Sequence, residues 1–160
     1  MQKNRKNIVK DMCINALFAG VYVVLVWAIG DLSFGFSNGL ISFRIAEILI
    51  ALCLFDKKFI YGAIVGCFCA NLIGGQPIDI IVGTIQTIIS VYLLAYVKNK
   101  QLSILLASMA CGLFIGLELY FLGFSAIGLW IILTIFVGEF AMLEIGYLIF
   151  KRFNLLFNKK

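Results

Sequence analysis

The sequence predicts an all-α integral membrane protein, a single domain of six transmembrane helices over residues 1–160. Three observations predict it. Hydrophobic residues make up 63% of the chain, charged residues only 13%, and the mean hydropathy is +1.09, whereas a soluble domain is about half apolar and a quarter charged. The apolar residues form continuous runs without period-two alternation, and in lipid each segment has to satisfy its own backbone groups, which selects helices over a barrel. Lysine and arginine sit almost wholly at alternate breaks between those runs.

The first segment, Met12–Gly30, follows a basic stretch from Lys3 to Lys10. It is too long for a signal-peptide core, no small-residue cleavage site follows it, and it reads as a retained helix. The second, Phe43–Phe55, is short and comes after a loop, "DLSFGFSNG", whose glycines give it mobility. "DKK" separates it from Phe59–Ile73, and "GGQPID" leads into Ile78–Val97. "KNKQ" precedes Leu102–Leu122, and "GFS" precedes Ala126–Phe150. A spanning helix takes about 20 residues, so almost nothing is left for a soluble domain. The chain shows no convincing internal repeat of the kind that builds many secondary transporters.

With six helices, the clusters Lys3/Arg5/Lys6/Lys10, Lys57/Lys58, Lys98/Lys100 and Lys151/Arg152/Lys159/Lys160 all fall on one side, leaving Arg44 for the other. The positive-inside rule makes the basic side cytoplasmic, with both termini there. The net charge of +5 is then a matter of topology, for which an anionic inner leaflet is partner enough and nucleic acid is not needed.

Several chemistries are excluded. There is no GxxxxGK[ST] loop, no HExxH and no histidine at all, so the chain has no P-loop and no Ser-His-Asp triad. The five cysteines (Cys13, Cys53, Cys67, Cys69 and Cys111) lie in apolar runs without CxxC spacing and read as small apolar fillers. No metal site and no enzyme is expected.

The assigned direction of the helices gives each polar residue a depth. Arg44 and Glu47 open the second helix, Asn71 lies near the outer end of the third, and Gln76, Asp79, Thr84 and Gln86 line the start of the fourth. Glu118 is near the outer end of the fifth, and Thr134 and Glu139 are in the outer half of the sixth. An ionised side chain at membrane depth costs about 3 kcal/mol or more, so these groups are expected to converge on a cavity open to the outside. Surplus acid, amides and the indoles of Trp27 and Trp130 would suit a small, flat ligand that is cationic or rich in N–H donors. Each feature also has a plainer reading. Arg44 and Glu47 can pair with one another, Asn71 and Gln86 can bridge helices, and the tryptophans can belong to an interfacial belt. Ala16 and Gly20, Gly62 and Gly66, and Gly112 and Gly116 have small-xxx-small spacing, which admits a neighbouring helix inside the bundle or a membrane partner outside it.

The blocks "FRIAEIL", "GCFCANLIGG", "PIDIIVGTIQTI", "FIGLELYFLG" and "VGEF" resemble, in order, those of the QueT family, over about Asn15 to Phe150. QueT proteins are substrate-binding S components of energy-coupling factor (ECF) transporters, associated with uptake of queuosine precursors, which are 7-deazaguanine bases. The resemblance implies a multi-pass protein of a bacterial plasma membrane. It also implies partners: a membrane scaffold (the T component) and two cytoplasmic ABC ATPases that hydrolyse ATP, with no cofactor held in this chain. It carries Arg44, Glu47, Asn71, Asp79, Gly83, Glu118 and Glu139 into the substrate site, and Ala16 and Gly20 into the docking motif of the first helix, where Gly20 stands in place of a common second alanine. On that basis Glu139 or Glu118 would read the guanine-like edge, and Asn71 or Gln86 would take the carbonyl. Trp130 or Trp27 would stack, Arg44 would orient Glu47 at the mouth, and Asp31–Ser42 would form a lid. The competing readings are a free-standing secondary carrier for a small cationic solute and a scaffold protein that binds no ligand.

Overall fold

A computed structural model describes residues 2–29, 45–74, 77–121 and 128–157. Helix α1 runs Gln2–Ile29, ten residues earlier than the apolar run begins. The basic stretch before Met12 has neither proline nor glycine, so nothing stops the helix from continuing beyond its apolar part. Helix α2 is a single turn, Glu47–Ile50, which tightens into a 3-10 turn over Ala51–Leu54. Helix α3 spans Phe59–Gly74, α4 Pro77–Tyr96, α5 Lys100–Phe121 and α6 Gly128–Phe157. The last extends past Phe150 because no breaker occurs before Phe157.

Among the described residues, four helices are long and apolar enough to cross a membrane: Ile8–Ala28, Pro77–Tyr96, Lys100–Phe121 and Trp130–Phe153. The chain is a multi-pass, all-helical membrane protein. Helix α3, at 16 residues, is about 24 Å long, short of an apolar core of about 30 Å. The four-residue α2 and its 3-10 turn are shorter still.

Local chemistry sets the ends. Pro77 opens α4 at a position where a missing N–H costs nothing, and Asp79 follows in the first turn. Asn99 Oδ1 accepts the Gln101 and Leu102 amides at 3.1 and 3.4 Å, capping α5. The Gly62 amide, in the first turn of α3, is capped from another helix: Asn15 Oδ1 on α1 accepts it at 2.7 Å. Asp56 holds the turn before α3, with its carboxylate 2.6 Å from Lys58 Nζ and accepting the Lys58 amide at 3.0 Å. Burial alone would raise the Asp56 carboxyl, but the two hydrogen bonds and the charge of Lys58 outweigh that and hold it below its ordinary 3.8.

The helices pack in chain order, α3 on α4, α4 on α5 and α5 on α6, while α2 and its 3-10 turn sit against α6 and reach α3 and α4. Ile50, Ala51, Cys53, Val91, Ile104 and Leu143 form the middle of the core. Helix α1 lies along α3 in the same direction, with Gly62 facing Asn15 and Phe18, and Gly66 facing Ala19 and Tyr22. A β-carbon at Gly66 would stand 3.0 Å from Tyr22 Cβ. Gly112 and Gly116 admit Ile132 and Phe136 of α6 in the same way. Large apolar side chains also cover the outside, among them Leu17, Tyr61, Phe121 and Leu148. That surface is stable only against hydrocarbon.

Candidate functional site

Three buried carboxylates come from three helices. Glu47 on α2 and Glu139 on α6 are each 1% exposed, and Glu118 on α5 is 5% exposed. Glu47 opens α2, where the contact with α6 holds it in the core, and Tyr22 Oη on α1 donates to its Oε1 at 3.2 Å. The Ile132 and Phe136 contacts with Gly112 set the antiparallel register of α5 and α6. Glu139 follows Phe136 by one turn, so it lies deeper along α6 than that contact, whereas Glu118 lies beyond Gly116 toward the opposite end. The two acids therefore sit at different levels of the bundle.

A second group of polar atoms lines the joint between α3 and α4. Cys67 Sγ is its hub. The Thr87 hydroxyl donates to it at 3.0 Å and Asn71 Nδ2 at 3.5 Å, and its own S–H points to the Gly83 carbonyl at 3.7 Å. Asn71 Nδ2 also donates to the Asp79 carbonyl oxygen at 3.0 Å. A β-carbon at position 83 would stand 2.6 Å from Asn71 Nδ2, so any larger residue there would have to displace the Asn71 amide. Gln86 Nε2 donates to Ser90 Oγ at 2.9 Å, and Ser90 reaches the Ala107 carbonyl of α5 at 3.4 Å. Asn71 and Gln86 thus engage protein groups, and the seam joins three helices. Buried Thr84 Oγ1 has no hydrogen-bond partner among the described residues.

The expected site residues divide accordingly. Glu47, Asn71, Gln86, Glu118 and Glu139 are buried in the bundle, and Asp79 is partly buried. Arg44, Gln76 and the Asp31–Ser42 loop lie outside the described residues. Trp27 and Trp130 are 74% and 59% exposed. Trp130 lines an outer groove with Met109, Leu113 and Phe136, away from the seam. Ala16 and Gly20 are exposed on α1, and a β-carbon on Gly20 would meet nothing within 4 Å.

Sequence reasoning did not single out Tyr22 or Cys67. A tyrosine and a cysteine inside apolar runs look like packing residues. The available signal was the spacing of Cys67 and Asn71, four apart and so on one face of a helix.

A seam of buried acids and amides is compatible with several membrane proteins. The comparison with known families decides among them: the sequence model of the QueT transporter family matches residues 12–154. The chain belongs to the QueT transporter family. That is a family of transporters and not of enzymes. Over 85 residues the chain is 34% identical to the "Queuosine precursor transporter QueT" of Lactococcus lactis subsp. cremoris. The match covers 53% of this chain and 49% of that protein, so the chain spans about half the length of this curated QueT relative. No solved structure matches.

Proposed function

We propose that this QueT family member is the substrate-binding S component of an ECF importer and captures a 7-deazaguanine queuosine precursor from outside. In this reading all six segments form one membrane domain with both termini in the cytoplasm. A scaffold T component and two ABC ATPases supply the energy, and ATP is hydrolysed on those partners.

The observation that carries the reading is a contrast between small-residue faces. Gly62 and Gly66 are filled by α1, and Gly112 and Gly116 are filled by α6, but Gly20 faces open space. A helix that leaves a small-residue face open in lipid has room for close approach by another membrane protein. Ala16 and Gly20 are the docking face for the T component.

The substrate reading rests on the name of the Lactococcus relative and on donor–acceptor chemistry. A guanine-like edge offers N–H donors, and carboxylates accept them. Glu139 or Glu118 takes that edge, Glu47 with Arg44 meets an amine, Asp79 adds a carboxylate, and Asn71 and Gln86 supply amide groups around the base. Thr84 Oγ1 adds a hydroxyl in the same region of α4.

Binding of aminomethyl-7-deazaguanine and of guanine to the purified chain, read by calorimetry, tests the substrate. Saturable binding of the precursor, weak with guanine and lost in Glu139→Gln while the fold persists, is the expected result. Uptake in cells with and without a co-expressed T component and ATPases tests the mechanism. Uptake that proceeds without the ATPases would assign the chain to the secondary carriers instead.

A further inference from the structure

The basic end of the bundle has an arrangement that the transport reading does not use. Phe55, after the 3-10 turn, stacks on Tyr147 of α6 with ring centroids 5.9 Å apart and 14° between planes. Lys100 Nζ, at the start of α5, stands 3.9 Å from the Phe55 centroid and 5.9 Å from that of Tyr147. Lys151 Nζ stands 5.3 Å from the Tyr147 centroid. Beside them, Lys57 Nζ lies 3.8 Å over Tyr96, which stacks on Tyr92. Three ammonium groups from three parts of the chain are thus seated on a ring platform.

Their charge is not matched among the described residues. The nearby carboxylate, Asp56, is taken by Lys58, and no carboxylate lies within ion-pair distance of Lys57, Lys100 or Lys151 among the described residues. Two ammoniums over one tyrosine repel each other, and each ring face uses only one direction of an ammonium's three donors. The tyrosines mark this level as the membrane–water boundary, where aromatic rings collect. An anion that sits at that boundary, accepts several N–H donors and carries apolar chains back along the helices meets each of these conditions.

We propose that Lys100 and Lys151, on the Phe55–Tyr147 platform and with Lys57 alongside, bind the phosphodiester headgroup of an anionic phospholipid. The headgroup oxygens accept from both ammoniums, and the acyl chains lie against exposed apolar side chains on the membrane side of Tyr147 on α6, such as Val137 and Ile145. The site depends on the bundle and not on what it transports, so it stands or falls apart from the substrate assignment.

The test is binding of phosphatidylglycerol and of phosphatidylcholine to the full chain in neutral detergent, followed by native mass spectrometry. Two lysines at an anionic headgroup correspond to about a 30-fold preference, so Lys100→Gln/Lys151→Gln should lose about that factor for phosphatidylglycerol and nothing for phosphatidylcholine. Lys98→Gln, at the same end but on an exposed residue with no ring beneath it among the described residues, should bind as the parent does. If the double variant fails to fold, Lys151→Gln alone, on an exposed side chain, should lose about 5-fold. Equal binding of the two lipids, or a preference that survives these substitutions, would overturn the proposal. Competition by glycerol 1-phosphate at the lipid's own concentration would make it a small-anion site, and equal competition by polyglutamate would make it a docking site for an acidic protein segment. Either result also overturns the lipid assignment.

Discussion

Gly146 is where α6 admits α2, and replacing it with alanine tests how that short element is held. A β-carbon there would stand 2.6 Å from the Ile48 carbonyl oxygen and 2.7 Å from Ala51 Cβ. The first obstacle is backbone, which cannot swing aside as a side-chain tip can. Overpacking of this kind costs about 1–3 kcal/mol, and the tight contact argues for the upper half of that range. Alanine returns about 1 kcal/mol of helix propensity relative to glycine, so Gly146→Ala should lower stability by about 1–2 kcal/mol. Gly20→Ala is the matched control: the chemistry is the same, the helix is again α-helical, and nothing lies within 4 Å. It should gain up to about 1 kcal/mol. In detergent, a chain of this size shifts about 2–4 °C per kcal/mol, so the two variants should melt about 2–12 °C apart, with Gly146→Ala below the parent. If Gly146→Ala melts with or above the parent, or if Gly20→Ala falls as far, α2 does not pack against α6 at this point.

Other substitutions probe other contacts. Asn15→Leu removes the acceptor for the Gly62 amide and should cost about 1–2 kcal/mol by thermal melting; an unchanged melt would show that the amide is capped in another way. Tyr22→Phe deletes the hydroxyl that donates to Glu47, and in a double-mutant cycle with Glu47→Ala, which removes the acceptor, the coupling should be about 1 kcal/mol or more; zero coupling would break the pair. Cys67→Ala takes the acceptor from Thr87 and Asn71 and should destabilise by about 1–3 kcal/mol, with Cys67→Ser losing less. Acidification tests the turn at Asp56. Its folded-state value lies below 3.8, so its contribution is complete above that pH and disappears only as the pH falls through the lower folded value. Carboxyl resonances of Asp56 followed by NMR should show this, and Lys58→Gln should return the midpoint upward.

Much of the bundle was readable because lipid imposes a simple pattern. α4 and α5 were legible to within a few residues at each end, as long apolar runs closed by "KNKQ" or opened by a proline. Helix ends in water were less legible, since hydropathy marks where the membrane stops and not where the helix does. α1 therefore starts at Gln2, and α6 continues to Phe157. The second segment looked like a short span, whereas its described part is one α-turn and a 3-10 turn set against α6. Its length is decided by a partner about a hundred residues later, which no local pattern records. In the site, buried acids stood out because charge in an apolar run is rare. The Cys67 hub did not, because its chemistry depends on the register of α3 against α4. Exposure is likewise a property of packing: the sequence offered Trp27 and Trp130 either a cavity or an interfacial belt, and their outward positions fit the belt.

The seating of α2 against α6 has a consequence for biosynthesis. α1 can wait in the bilayer until α3 arrives, since its own segment is apolar enough to span. α2 has no such independence: it is brief, it begins with Glu47, and its principal neighbour, α6, is made about a hundred residues later. At about 5–20 residues per second, roughly 5–20 s separate translation of Glu47 from that of Gly146. During that interval the carboxylate has no finished pocket to enter. A ribosome-stalled chain ending before α6 should therefore leave Glu47 reachable by water-borne reagents, and release of the full chain should close it off.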